Sequence, residues 1–259
     1  MSYPFQTIGF DKPTRSPVGP PVDTGLKAYW KFNESSGDII NQSAAAADLG
    51  AAADLQVTGM TYVPSGGASP FGYEGSFDNT NDFCTSGTSL SQYNFLHNTT
   101  ALWSMAFWLK WTGSGTQIIF ATADNLFISD QIGFTLALLD TNAIRIILGN
   151  GGGGGARTDH VTTNNTIPNK TGVHFVCITY DESLGSNNLN IRVNNAGLQT
   201  FSKEFANSNS NAARAGQIGS IASDGFLGGL VSEFSVWNKV LSDADQTLLY
   251  NDGLGVAIY

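Results

Sequence analysis

From Leu26 onward the chain alternates short apolar runs with stretches of Gly, Asn, Asp and Ser. The run LKAYWKF (26–32) places Leu26, Ala28, Trp30 and Phe32 on one side, with Tyr29 apolar on the other. SMAFWLKW (104–111) sets Met105, Phe107, Leu109 and Trp111 on one face. AIRIIL (143–148), VHFVCITY (173–180), LNIRV (189–193) and LVSEFSVW (230–237) are further runs rich in β-branched and aromatic residues. A period of two, not 3.6, describes these segments, and it is the period of a pleated strand with one face inward. The pattern predicts an all-β protein.

The intervening residues read as turns. GGGGG (151–155) lacks the Lys-Ser/Thr ending and following helix of a phosphate loop, so it is expected to be a flexible turn or hairpin tip. NNAG (194–197) joins two runs as a tight hairpin, with Gly197 expected to supply the positive φ. SAAAADLGAAADL (43–55) is of low complexity and is expected to be a loop. LSDADQTLLYNDG (241–253) alone reads as a helix. Ser242 and Asp245 form a capping-box pattern, Asp243 favours the positive end, and Leu248 and Leu249 give an apolar side. Gly253 is expected to stop the helix, which should cover an edge of the sandwich.

Composition narrows the setting. Hydrophobic residues make up 41% and support a sizeable core, whereas charged residues make up only 13%. The net charge of −9 and the scattered Lys and Arg disfavour nucleic acid and anionic membranes. No signal-peptide pattern and no membrane-length apolar run occur, so the chain is expected to stay in a cytoplasm or leave by lysis. Cys84 and Cys177 are too few for a disulfide framework and are expected to be buried thiols. Residues 1–25 hold Pro4, Pro13, Pro17, Pro20 and Pro21, five of the eight prolines. Such a segment is extended and unfit for a central strand. It is expected to be an arm that packs on a neighbouring subunit or a larger particle.

One stretch carries a family resemblance. FLGGLVSEFSVWNKVLSDADQTLLYNDG (226–253) resembles the closing strand and helix of laminin-G-like jelly rolls, within the concanavalin-A-like lectin/glucanase superfamily. Glu233, Trp237, Asn238, Leu241, Ser242, Tyr250, Asn251 and Gly253 fall on the matching positions, while Ser232 replaces a usual Asp. AYWKFNESSGDIINQS (28–43), GSFDNTNDF (75–83), WSMAFWLKW (103–111) and HFVCITYDESLGSNNLNIRVNNAG (174–197) fit in order, with Asn79 where Gly is common. The resemblance implies a two-sheet antiparallel jelly-roll sandwich over 26–259, with a short C-terminal helix and the N-terminal arm at 1–25. It implies no single activity.

The chemistry-bearing residues favour binding over catalysis. Glycosidases of this superfamily use paired carboxylates on one strand, and no Glu-x-Asp-x-x-Glu spacing occurs. Glu233 stands alone on its strand, and Asp181-Glu182 fall in a loop. His97, His160 and His174 accompany no nucleophile elbow, and His174 matches a structural position of the family. Many relatives hold a structural Ca²⁺ between the opening acidic loop and the closing strand, which makes Glu34, Asp38, Asn41 and Glu233 candidate ligands, with Asn33 beside them. The alternative is that Glu34 and Glu233 are solvated or paired with Lys31 or Lys239. For glycans, Tyr29, Trp103, Trp108, Trp111 and Trp237 are candidate platforms, as are Tyr73, Tyr93, Asn94, Asp124 and Asn125 in loops. The leading expectation is a non-enzymatic virion structural protein, a capsid decoration or tail component in a larger assembly, whose sandwich binds cell-surface carbohydrate. A ligand-free cement protein, a glycan-active enzyme and a free-standing lectin are the alternatives.

Overall fold

A computed structural model describes residues 24–43, 54–64, 72–125, 131–152, 157–168, 170–222, 224–255 and 258. Most of the proline-rich arm, of the Ala-rich loop and of the glycine run lies outside the described residues. The strands are β1 (Leu26–Trp30), β2 (Leu55–Thr58), β3 (Thr61–Pro64), β4 (Tyr73–Asp78), β5 (Phe83–Ser86), β6 (Leu102–Trp111), β7 (Gln117–Ala121) and β8 (Ile132–Leu138). They continue with β9 (Ile144–Asn150), β10 (Arg157–Val161), β11 (His174–Asp181), β12 (Leu189–Val193), β13 (Gln199–Phe201), β14 (Gly216–Ile218) and β15 (Gly228–Trp237). One helix, α1 (Asp243–Tyr250), follows.

Among the described residues all strand pairings are antiparallel and form two sheets. One runs β13-β12-β11-β6-β15-β4-β3, with β1 also on β15, and the other runs β10-β9-β8-β7-β14-β5-β2. The predicted two-sheet sandwich is therefore what forms. Its core is filled by the alternating residues read from the sequence: Met105, Phe107, Leu109 and Trp111 all point inward. Phe234 binds the layers together, since it stacks on Phe107 of its own sheet at 5.2 Å and on Phe120 of the facing sheet at 5.8 Å.

Among the described residues three register shifts interrupt the simple alternation, one on β7 between Ile118 and Phe120 and two involving β15. Pairing of β1 with β15 shifts between Leu26 and Ala28, so Leu26 turns away from Ala28, Trp30 and Phe32 and joins Tyr29 on the outer face. The expectation that all four share one side is corrected by that extra residue. The β15 bulge lies between Ser232 and Ser235, where Glu233 adopts φ 53°. It marks the point where one flank of β15 changes partner, from β4 (last pair Val231–Gly75) to β1 (first pair Phe234–Trp30).

The helix starts as the sequence predicts: Ser242 accepts from the Asp245 amide, and the Asp245 side chain accepts from that of Ser242. It ends differently. Asn251 takes the left-handed conformation (φ 45°) and closes the helix before Gly253. Instead of an edge, α1 covers the outer face of the first sheet, where Leu249 and Tyr250 pack with Trp108, Phe175 and Cys177. Arg192 of β12 fastens it by bonding Asp243 and Gln246. The 194–197 hairpin also forms, but Asn194 (φ 54°), rather than Gly197, holds the left-handed position.

Candidate functional site

The four proposed calcium ligands are each engaged by the chain. Asn41 Oδ1 accepts from the amides of Tyr29 (2.9 Å) and Ser43 (3.0 Å). Asp38 Oδ1 accepts from the Val57 amide (3.2 Å) and Glu34 Oε1 from the Ile40 amide (3.0 Å). Glu233 accepts from the Tyr29 hydroxyl. Among the described residues no three His, Cys, Asp or Glu side chains group as metal ligands. Amides of the connecting loop and of the adjoining strands β1 and β2 still need partners, and the Glu34, Asp38 and Asn41 side chains supply them.

Among the described residues Glu233 is the most perturbed carboxylic acid. The bulge turns its side chain beneath α1, where burial pushes the carboxyl up to about 7, while the Tyr29 hydrogen bond and Lys31 pull it down. The adjoining cavity, lined by Tyr29, Trp108, Phe175, Ser235, Leu249 and Ile258, is only about 10 Å³. That is room for about one water and for no sugar.

The strand aromatics are packing residues. Tyr29, Trp103, Trp111 and Trp237 are fully buried and Trp108 nearly so. Tyr93, read as an exposed loop residue, is also buried, edge-on to Phe120 at 5.2 Å with its hydroxyl on Ser86. Tyr73 and Asn125 are exposed, and Asn94 and Asp124 are half-buried; Asn94 bonds Asn211 and Asp124 pairs with Arg214. Asn94 and Asp124 are thus both held by the segment 211–214, through Asn211 and Ala212 and through Arg214. His174 is buried against Asn194, and Cys84 and Cys177 are buried free thiols.

Open clefts lie instead at the two ends of β6. Beyond Trp111, three connections between the sheets meet: β4–β5, β6–β7 and β14–β15. Asn79, Ser114, Gly115, Thr116, Asp224, Gly225 and Phe226 line a cleft of about 420 Å³ there. Its walls are held by backbone bonds, Asn79 N to Leu227 O (2.9 Å), Thr112 N to Gly228 O (2.8 Å) and Ile118 N to Gly225 O (2.7 Å). Asn79 sits at φ 66°, the reason glycine is common at that position of the motif. Lys170 braces the same end, its ammonium on Gly113 O (3.0 Å), near Asp140 and 4.2 Å above the Trp111 ring. The lining thus offers a half-buried aromatic ring, an amide, two hydroxyls and an exposed carboxylate.

At the other end, a cleft of about 370 Å³ is lined by Glu182, Leu184, Gly185, Asn188, Ser202, Lys203 and Glu204. It holds two carboxylates but no aromatic ring, and Glu182 accepts from the Tyr180 hydroxyl. These carboxylates come from chain segments beyond the strand ends rather than from one strand.

Neither cleft is legible in the sequence, because its residues come from separate loops. Asn79 and the Asp224-Gly225-Phe226 turn carry only weak signals, a substituted glycine and a glycine-rich approach to the last strand.

A two-sheet antiparallel sandwich with loop-built end clefts defines a lectin-type domain architecture. A family model described as the concanavalin A-like lectin/glucanases superfamily matches residues 79–245, and the chain belongs to that superfamily. Among solved structures, the chain is similar to the binding domain of botulinum neurotoxin DC in complex with SialylT, at 15% identity and TM-score 0.57, covering 90% of this chain and 52% of that one. It is similar to the botulinum neurotoxin serotype G binding domain at 13% identity and TM-score 0.57, covering 87% and 50%. A botulinum neurotoxin type C structure, whose cell entry is described as dependent upon interaction with two ganglioside molecules, aligns at 11% identity and TM-score 0.57, covering 91% and 52%. The chain therefore spans about half the length of these proteins, and at such identities the likeness is one of fold. No curated protein is matched by sequence.

Proposed function

We propose that the sandwich is a non-catalytic glycan-binding module whose site is the cleft of Asn79, Ser114, Thr116, Asp224 and Phe226. The observation that carries this reading is the composition of that cleft: one aromatic ring among groups that both donate and accept hydrogen bonds, on loops held in place by backbone bonds. A sugar presents an apolar C–H face and a rim of hydroxyls, and that lining complements both. Likeness of fold to neurotoxin binding domains described with SialylT and with gangliosides supports a carbohydrate partner. Binding of the protein to a glycan array, weakened by Phe226→Ala and Asn79→Ala, is the expected result. An array on which no glycan binds would overturn it.

The proline-rich residues 1–25 belong to the same proposal as an anchor to a larger assembly such as a virion, on the strength of their sequence alone. Deleting them should leave glycan binding intact and abolish incorporation into particles. Retained incorporation would remove the anchor from the reading.

Glu182 and Glu204 on one cleft support a second reading as a glycan-active enzyme. Incubation with polysaccharide followed by detection of new reducing ends tests it, with Glu182→Gln and Glu204→Gln as controls. The binding reading expects no product.

A further inference from the structure

We infer that the Asp224–Phe226 cleft selects neutral sugars and discriminates against anionic ones, a conclusion that rests on the glycan-binding reading and specifies its ligand class. The charge of the lining carries it. Among the described residues that form this cleft, Asp224 is the one charged side chain, and no Lys or Arg joins it. Lys170 braces the same end but does not line the cleft: its ammonium sits on Gly113 O at 3.0 Å, is 3.4 Å from Asp140 and lies over the Trp111 ring. A sialic or uronic acid would bring its carboxylate to a site with an acid of its own and no guanidinium or ammonium to receive it. The chain as a whole, at −9, adds a repulsive field of the same sign.

A neutral hexose or N-acetylhexosamine meets the opposite situation. Asp224 is exposed, and its Oδ1 takes the Gly225 amide at 2.7 Å, which fixes the side chain and leaves Oδ2 to accept from ring hydroxyls. Ser114 and Thr116 can donate or accept, and the Asn79 amide can do both at once. Phe226 is half-buried and lines the cleft, so the fold holds it in place while part of it stays accessible to a sugar. At about 420 Å³ the cleft falls in the lower part of the size range of ligand sites, suited to one or two sugar rings rather than a branched headgroup.

The experiment uses the full chain on an array of glucose-, galactose-, mannose- and N-acetylglucosamine-terminated oligosaccharides, each printed beside its terminally sialylated or uronylated counterpart. Calorimetry follows on the best neutral hit. The neutral member of a pair is expected to bind at least about tenfold more tightly than its anionic partner. Asp224→Asn keeps the Oδ1 acceptor for Gly225 and should weaken the neutral sugar by about tenfold while narrowing the gap between the pair. Asp224→Lys should shift preference toward the anionic member. Equal or tighter binding of sialylated glycans by the unaltered protein would overturn the neutral preference and leave the glycan-binding reading standing. Binding to neither class would overturn that reading and the preference with it.

Discussion

The hydroxyl of Tyr29 donates to the carboxylate of Glu233, a residue 204 positions away in the chain. The bond spans the joint at which β15 exchanges β4 for β1, and Ile258 N donates to the same hydroxyl at 3.3 Å, so it also holds Ile258. Burial is the largest influence on this carboxyl, raising it from 4.5 to about 7. A raised folded value means that the native state holds its proton where the unfolded chain has lost it. The associated stability is present in full below pH 4.5 and declines as the pH rises through about 7. Between pH 4.5 and 7.5, the protein should lose stability relative to Glu233→Gln, by on the order of 3 kcal/mol at most. Urea unfolding of both proteins across that range checks this; parallel curves would refute it.

Gly229 lies on β15 at φ 141°, where an added Cβ would come 2.1 Å from the Lys110 carbonyl oxygen and 2.7 Å from Trp111 Cα. Both neighbours are backbone of a central strand and cannot step aside. Gly229→Ala should cost upward of about 2 kcal/mol. Gly185→Ala, with open space around its Cβ position and no positive φ, should stay within about 0.5 kcal/mol. Chemical denaturation of the pair tests the contrast.

The capping box of α1 should be worth about 1 kcal/mol, the usual cost of Ser→Ala at such a site. Because Tyr250 stacks on Trp108 at 6.0 Å, fraying of the helix would expose that indole. Ser242→Ala is therefore expected to red-shift tryptophan emission before global unfolding, a change that quenching by iodide would resolve.

Chelation offers a separate test. Glu34, Asp38, Asn41 and Glu233 are already bonded to Ile40, Val57, Tyr29 and Ser43. A ligand stabilises only in proportion to its binding to the native state. If those bonds occupy the side chains fully, melting temperatures with calcium and with EGTA should coincide, and a rise with calcium would assign those residues a cation site.

The period of two along the runs at 104–111, 173–180 and 189–193 was enough to place each strand and its inward face, because pleat geometry is local. Capping at Ser242 was legible for the same reason, since donor and acceptor lie three residues apart. Leu26 defied the pattern because a bulge depends on how β1 registers with β15, and Tyr93 because only the facing sheet brings Phe120 against it. Left-handed Asn194 and Asn251 displaced the glycines expected nearby, since Asn tolerates positive φ almost as readily in a turn.

What the amino-acid order alone determined, then, was the class of fold, the strands β1, β6, β9, β11, β12 and β15, the helix start and the lack of a paired-acid motif. The end cleft of Asn79, Thr116, Asp224 and Phe226 was decided only by tertiary structure. Its members are spread over some 150 residues of chain, and they meet because three separate crossings between the sheets leave from the same end of the sandwich. Neither local propensity nor periodicity encodes that meeting; the packing of two twisted layers does.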